Sequence, residues 1–76
     1  MLKRINRAEW AQLSEGDIIF DRNGEMLMVR AVSSNHTLIT CQETGTYNDD
    51  DMSVEFDGAW RVNLTYGDGL QIEIAL

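Results

Sequence analysis

Apolar and polar residues alternate along most of this chain at the spacing of two residues that is typical of β-strands. The alternating or β-branched segments predict six short strands, at residues 18–20, 26–32, 37–41, 52–56, 59–64 and 70–76. Because successive side chains on a strand point to opposite faces, the pattern also predicts which of them face the core. We expect the following side chains to point inward: Leu27, Val29, Ala31, Leu38, Thr40, Met52, Val54, Phe56, Trp60, Val62, Leu64, Leu70, Ile72, Ile74 and Leu76.

Turn-forming residues separate the predicted strands. Asn23-Gly24 and Asp57-Gly58 are two-residue hairpin signals, because Asn, Asp and Gly tolerate the positive φ angles of tight hairpin turns. Residues 33–36 are a cluster of polar turn formers. The three successive aspartates at 49–51 repel one another, so we expect residues 44–51 to form an exposed loop.

A single short helix is predicted near the N-terminus. The Asn6 side chain can accept a hydrogen bond from a free amide of the first turn, and Glu9 follows three residues later, as in a capping box. Trp10 and Leu13 then share one helix face. We expect the helix to cover residues 7–13 and its Trp10 side chain to plug one end of the sheet.

One short helix followed by about five to six short strands and tight turns predicts a mainly β fold, a small antiparallel barrel or a rolled sheet. The opening of the chain resembles that of many SH3-like barrels in three features: Trp10 with Leu13, Gly16-Asp17-Ile18 at the start of the first strand, and Gly24 with Met28-Val29. This resemblance covers roughly residues 10–32, implies an SH3-like fold and carries over no functional residue. We expect residues 1–76 to form one small domain, with residues 1–5 as a candidate flexible segment.

Charge is distributed unevenly over the 76 residues. The chain has 6 basic and 13 acidic residues, for a net charge of −7. Lys3, Arg4 and Arg7 lie near the N-terminus, whereas residues 43–57 contain six acids and no base. Nucleic-acid binding depends on Lys and Arg side chains that neutralise phosphates, so this balance argues against direct binding to nucleic acid. It favours a cationic partner instead.

The apolar segments are too short to cross a membrane. The longest uninterrupted runs are residues 18–20 and 26–29, whereas a spanning helix needs roughly 20 apolar residues. The basic N-terminal residues are not followed by the apolar core of a secretion signal. We therefore expect a cytoplasmic protein with no membrane partner.

The sequence offers little catalytic or metal-binding chemistry. His36 is the single histidine and lies in a predicted turn, and Cys41 is the single cysteine and lies in a predicted strand, where we expect an outward or rim position and a structural thiol. The run of aspartates lacks the alternating ligands and the central glycine of an EF-hand loop. We expect no enzymatic activity, no catalytic residue, no metal site and no cofactor.

The acidic segment and two loop tyrosines are the strongest candidate for a function. Tyrosine is an effective interface anchor because it buries a large area at a low entropic cost. We predict a partner-binding surface formed by Tyr47, Asp49, Asp50, Asp51, Glu55, Asp57, Tyr66 and Asp68. This surface would dock on a basic protein, and its sharper version is a nucleic-acid mimic that occupies the basic channel of a nuclease or other nucleic-acid-binding complex. In size and charge the chain resembles small acidic inhibitors from phages and mobile elements, such as anti-CRISPR and anti-restriction proteins.

Two other functions stay open at this point. The chain could be a structural or assembly subunit that forms a homo-oligomer or joins a larger complex through Met26, Met28 and Val32, because methionine-rich surfaces adapt well to partners. A nucleic-acid-binding barrel that uses Lys3, Arg4 and Arg7, with Arg22 as a further candidate, is the other alternative, although the rest of the chain repels phosphate.

Overall fold

The computed structural model describes residues 1–75, which contain eight short strands and two short helices. In chain order the elements are β1 (Leu2–Arg4), α1 (Arg7–Ala11), β2 (Ile18–Phe20), β3 (Met26–Val32), β4 (Ile39–Glu43), β5 (Tyr47–Asn48), β6 (Ser53–Val54), β7 (Trp60–Leu64), a 3₁₀ helix (Tyr66–Asp68) and β8 (Gln71–Glu73). The mainly β architecture predicted from the alternating pattern is confirmed.

Six of these strands form one antiparallel sheet in the order β1-β8-β2-β3-β4-β7, and β5 pairs with β6 in a separate two-stranded ribbon. Among the described residues β1 and β7 do not pair with each other, so strand pairing does not close the sheet into a barrel. Near the end of β7, the Tyr66 ring meets Trp10 of α1 edge to face at a centroid distance of 6.0 Å. Within residues 1–75, no helix has the length and apolar character that a bilayer crossing requires.

The first strand, β1, was not predicted from the sequence. It pairs with β8 in the register Leu2↔Glu73 and Lys3↔Ile72, and the Ile5 amide continues the ladder by donating to the Leu70 carbonyl at 2.9 Å. A strand of three residues with two cations carries too short an alternation to be recognised. It forms because β8 offers a partner edge and the core accepts Ile5, which is buried.

The predicted helix is confirmed at its start and ends two residues earlier than expected. The Asn6 side chain accepts a hydrogen bond from the Glu9 amide, the Glu9 side chain accepts one from the Asn6 amide, and the helix then runs from Arg7 to Ala11. Trp10 is buried and its indole N–H donates to the His36 carbonyl. This bond holds the turn after β3 against the helix, and Trp10 belongs to the buried core.

The core consists of nine buried apolar side chains: Ile5, Trp10, Leu13, Ile19, Leu27, Val29, Ile39, Cys41 and Leu70. Leu27 and Val29 face inward as predicted, but Ala31 is exposed and Val32 packs against the core in its place. The cause is a bulge between Val29 and Ala31, where Arg30 is the additional residue relative to β4. One additional residue reverses the facing of every position after it.

The inward faces of β4 and β7 were predicted wrongly. On β4 the buried residues are Ile39 and Cys41, because Cys41 pairs with core-facing Val29, whereas Leu38 is exposed and Thr40 only half-buried. The sequence could not distinguish these two faces, since Leu38 and Ile39 are adjacent and equally apolar. The prediction that Cys41 lies outward or at the rim is corrected by the same register.

On β7, Trp60 and Val62 point away from the core and remain 57% and 61% exposed, contrary to prediction, while Leu64 packs against the core. A bulge makes this possible, because Ile39 pairs with Leu64 but Cys41 pairs with Arg61. The additional residue is accommodated by Asn63, whose φ angle is +57°. Arg61 and Leu64 therefore both face inward although they are three positions apart.

The segment 52–56 is a further correction. Only Ser53–Val54 is a strand, and it pairs with Tyr47–Asn48, which lie in the segment predicted to be a loop. Met52 is 76% exposed, Val54 is exposed and Phe56 is half-buried, so this segment does not contribute to the core as predicted. Asp57-Gly58 does not form a two-residue hairpin either, because β6 and β7 pair with other strands.

The last predicted strand is confirmed in part. It is shorter than predicted, Gln71–Glu73, with Leu70 buried, Ile72 packed against the core and Ile74 half-buried. The predicted inward position of Leu76 lies outside the described residues.

Asp21, directly after β2, links the β2–β3 turn to neighbouring strands through its side chain and its backbone carbonyl. Asp21 is 7% exposed, and one carboxylate oxygen accepts the amides of Asn23 and Glu25 at 2.8 and 2.9 Å. The other oxygen accepts Arg61 Nη2 at 3.1 Å, and Arg61 Nε also donates to Glu43. The Gln71 side chain donates to the Asp21 carbonyl at 2.8 Å. The turn after β2 is therefore tied to β4, β7 and β8.

Substitution of Asp21 by Asn is expected to lower the free energy of unfolding by about 1 to 3 kcal/mol at neutral pH, because Arg61 and the amides of Asn23 and Glu25 lose a charged acceptor. Burial alone would raise the pKa of Asp21, but the amides of Glu25 and Asn23 together with Arg61 outweigh it and hold this pKa below its ordinary value. The contribution of the carboxylate is therefore complete above about pH 4 and is lost as the pH falls through the lower, folded-state pKa.

Urea denaturation of the wild type and of Asp21→Asn, followed over a series of pH values, measures this difference. The gap in stability should shrink below about pH 4. A gap that stays constant down to the lowest pH would contradict the role assigned to the charge. Asp50→Asn is the matched control, because this carboxylate accepts no hydrogen bond from the described residues.

Candidate functional site: an exposed acidic ribbon

Residues 44–58 form a projecting acidic ribbon, the distal continuation of the β4–β7 pair. At its base the Glu43 amide donates to the Ala59 carbonyl and the Gly58 amide donates to the Glu43 carbonyl, each at 2.9 Å. Further out, Gly45 N–H bonds the Glu55 carbonyl at 2.9 Å and Glu55 N–H bonds the Thr46 carbonyl at 2.8 Å. The chain then turns back through the aspartates 49–51. The predicted loop is therefore a hydrogen-bonded hairpin.

The base of the acidic ribbon is held by Asp57 and by two glycines in close approach. Both carboxylate oxygens of Asp57 accept from Thr46, one from its amide and one from its hydroxyl, each at 2.8 Å. These bonds hold the pKa of Asp57 below its ordinary value. A Cβ added to Gly58 would lie 2.7 Å from the Thr44 carbonyl oxygen, and one added to Gly45 would lie 2.9 Å from the Gly58 nitrogen. The strands can approach this closely only because both residues lack side chains.

The tip of the acidic ribbon is shaped by local side-chain hydrogen bonds. Asn48 Oδ1 accepts the Asp50 amide at 3.0 Å, and Asp51 Oδ1 accepts the Ser53 amide and hydroxyl at 3.0 and 2.6 Å. The bonds from Ser53 hold the pKa of Asp51 below its ordinary value. Met52 takes a φ angle of +59°, which completes the reversal of the chain.

Three carboxylates of the acidic ribbon are free to meet a partner. Asp49, Asp50 and Glu55 are exposed, and within residues 1–75 their side chains accept no hydrogen bond and form no ion pair. The same segment exposes Tyr47 and Met52, at 52% and 76%, with the Tyr47 hydroxyl 3.8 Å from the Met52 sulfur. Negative charge and apolar contact area therefore occur together on one narrow projection.

The structure brings six of the eight predicted partner-binding residues together and separates the other two. Tyr47, Asp49, Asp50, Asp51, Glu55 and Asp57 all belong to the acidic ribbon. Tyr66 and Asp68 belong to the 3₁₀ helix beyond the opposite end of β7.

Tyr66 and Asp68 also have structural partners. The Tyr66 ring is half-buried against the core, with the guanidinium carbons of Arg7 and Arg4 at 4.6 and 5.8 Å from its centroid. Asp68 caps the 3₁₀ helix by accepting the Thr65 amide at 2.7 Å. Tyr66 and Asp68 therefore make their contacts outside the acidic ribbon.

The exposed surface next to the acidic ribbon was not predicted from the sequence. Trp60 and Val62 were assigned to the core, but they lie on the outer face of the sheet. Strand register places Ile18, Met28, Gln42 and Trp60 in one row across that face. The alternation of β7 was a correct signal of two distinct faces, although it did not show which face is covered.

Arg30 and Gln42 attach the base of the acidic ribbon to the outer face. Arg30 Nη2 donates to the Phe56 carbonyl at 2.8 Å and Arg30 Nε donates to Gln42 Oε1 at 3.1 Å. The Gln42 amide in turn donates to the Gly58 carbonyl at 3.0 Å. The ribbon therefore projects from a fixed base next to Trp60.

An open cleft of about 340 Å³ lies on the side of β7 to which Arg61 and Leu64 point. It is lined by Asp21, Arg22, Asn23, Arg61, Leu64, Asp68 and Leu70. Two of its four charged residues already pair with each other, because Arg61 binds Asp21 and also Glu43. Within residues 1–75 no three potential metal ligands of the His, Cys, Asp and Glu types lie close enough to share an ion. The acidic ribbon is therefore the stronger candidate site.

Comparison with known proteins finds no matching family model, no matching curated protein and no matching solved structure.

Cys41 is expected to resist alkylation in the folded protein. Burial raises the pKa of its thiol to about 11, with Arg61 opposing part of that effect. At pH 8 its reaction with iodoacetamide should be slower than that of the urea-unfolded chain by about two orders of magnitude, because so little thiolate is present. Mass spectrometry of timed samples measures both rates, and equal rates would contradict the buried position.

Substitution of Gly58 by Ala is expected to open the base of the acidic ribbon, at a cost of about 1 to 3 kcal/mol, because the new methyl group overlaps the Glu43 and Thr44 carbonyls. Amide hydrogen exchange should show lost protection at Gly45 and Glu55 with the main sheet preserved. Gly67→Ala is the matched control, since the nearest atom to a Cβ there is the Thr65 hydroxyl oxygen at 3.8 Å. Unchanged exchange in Gly58→Ala would contradict the close approach.

Proposed function

We propose that this chain is a non-enzymatic protein-binding module that docks its acidic ribbon on a basic partner protein. The observation that carries the proposal is the ribbon itself, a projection with a fixed base whose free carboxylates stand beside exposed Tyr47 and Met52. A partner can bury the apolar side chains while its Lys or Arg residues pair with Asp49, Asp50 and Glu55. Charges arranged in this way accelerate association and discriminate between partners.

The narrower form of the proposal is a nucleic-acid mimic. Carboxylates that follow a narrow ribbon can occupy a groove built to hold phosphates, so a nuclease or another nucleic-acid-handling complex is the partner class we favour. The net charge of −7 on 76 residues supports this form, because such a field attracts cationic channels. The role would be that of an inhibitor of the kind phages and mobile elements encode, acting in the cytoplasm. We also propose that the six-stranded sheet is a variant of the SH3-like arrangement.

A second candidate function is supported by the outer face of the sheet. Met26 and Ile18 are exposed there and Met28 is half-buried, so an assembly subunit could use this face as its contact surface. Val32 does not belong to this surface, because it packs against the core. Self-association that is insensitive to salt and lost in Met26→Lys would favour this function.

A double variant, Asp49→Asn with Asp50→Asn, tests the proposed function. Both side chains keep their shape and lose their charge, so association with a basic partner should slow by about tenfold at low salt, and the difference should fade at high salt. Asp51 is left intact because it holds Ser53. The partner is captured from lysate with the immobilised chain, identified by mass spectrometry, purified, and then measured by surface plasmon resonance.

Glu15→Gln with Glu25→Gln is the matched control, because it removes the same charge from exposed residues outside the acidic ribbon. If both double variants slow association equally, only net charge matters and the ribbon is not the site. If double-stranded DNA fails to compete with the chain for its partner, the mimic form is wrong while the binding function stands.

A further inference from the structure

The outer edge of β7 has no strand beside it. Of its two edges only the one facing β4 is paired within residues 1–75, and β1, at the opposite end of the sheet, is three residues long and ends on the exposed cation Arg4. The unpaired edge of a strand presents backbone donors and acceptors that can accept another strand. β7 is therefore the longer free edge of this sheet, with five residues.

This edge has two features that can discourage strand addition, the inward-pointing charge of Arg61 and the bulge at Asn63, and neither blocks its first residues. Proline or an outward-pointing lysine on an edge strand commonly blocks pairing, and the chain contains no proline. The guanidinium of Arg61 is already paired with Glu43 and Asp21, so a strand added beside β7 would not cover an unpaired cation. The bulge at Asn63 interrupts only the last part of the strand.

The residues around this edge determine which side chains a strand that pairs with β7 should carry. Trp60 and Val62 offer apolar contact on the outer face, at 57% and 61% exposure. Directly before β7 stands the acidic ribbon, with the free carboxylates of Asp49, Asp50 and Glu55. A strand lying along β7 and continuing past Trp60 would meet apolar side chains first and negative charge next. A second copy of this chain fits poorly, because it brings a charge of −7 to this place.

We infer that β7 is a strand-addition site, and that its occupant is an extended segment of the partner protein in which an apolar stretch is followed by lysines or arginines. The segment pairs antiparallel, the more stable arrangement, so that its apolar part lies beside Val62 and its basic part beside the acidic ribbon. Backbone hydrogen bonds supply affinity, and the ribbon selects for cations. This inference rests on the proposed function and names the form in which the basic partner is recognised.

The experiment uses the complete chain and a synthetic peptide of about eight residues, Thr-Val-Thr-Val-Thr-Lys-Arg-Lys, long enough to span β7 and reach the ribbon. Binding at low salt is followed by tryptophan fluorescence, to which exposed Trp60 and buried Trp10 both contribute, and by amide chemical shifts. We expect the largest shifts at residues 60–63 and at Glu55, with slower hydrogen exchange of the β7 amides. A second peptide with N-methyl groups on alternate residues keeps every side chain and charge but loses backbone donors, so it should bind at least about tenfold more weakly.

The outcomes separate this inference from the proposed function. If the N-methylated peptide binds as well as the first peptide and Asp49→Asn with Asp50→Asn weakens both, charge recognition is real and strand addition is wrong. If neither peptide shifts the β7 amides, or if these amides shift with protein concentration alone because two copies pair, the inference is overturned. If the purified partner binds with no dependence on Asp49 and Asp50 while the first peptide still protects β7, the acidic function fails and the strand edge stands.

Discussion

The arrangement of the sheet depends on the hydrogen bonds and the ion pair that the buried carboxylate of Asp21 forms. Strands of two to seven residues and nine buried apolar side chains give a small domain little stability to spare. Asp21 connects the β2–β3 turn to Arg61 of β7, while its backbone carbonyl is held by Gln71 of β8. Arg61 extends the connection to Glu43 at the end of β4. One charged cluster thus fixes the strand ends that surround the open cleft.

The same cluster determines what the surface can do. Because Arg61 is directed inward, the outer side of β7 is left to Trp60 and Val62, and no cation of β7 offsets the acidic ribbon next to it. Arg30 is also occupied, since it bonds the Phe56 carbonyl at the base of the ribbon. The cations near the ribbon therefore build its support, and its free carboxylates are left for a partner. Charge separation on the surface follows from ion pairing inside the fold.

Local signals predicted the parts of the fold that short-range chemistry controls. The capping box at Asn6 started a helix, and Leu27 and Val29 faced the core. Asn23-Gly24 lies in the turn between β2 and β3 as predicted, but the loop has three residues, 22–24, instead of two, and Gly24 takes a positive φ angle of +87° whereas Asn23 does not. Where bulges at Arg30 and Asn63 add a residue to one strand, the predicted facing failed, because each bulge is defined by its partner strand. The acidic ribbon was predicted as a site by its composition, but as a loop, since its pairing depends on Thr46 and Asp57, eleven residues apart.

The sequence by itself determined a mainly β chain, one capped helix, the separation of charge along the chain and a cluster of acids with Tyr47. These properties depend on neighbouring residues and on composition, which a single chain displays directly. The tertiary structure alone decided that β1 exists, that Cys41 is buried, that Trp60 and Val62 are exposed and that Tyr66 packs against Trp10 instead of joining the acidic ribbon. Alternation shows that a strand has two different faces, but which face is covered depends on the strand beside it and on what that strand brings to the core.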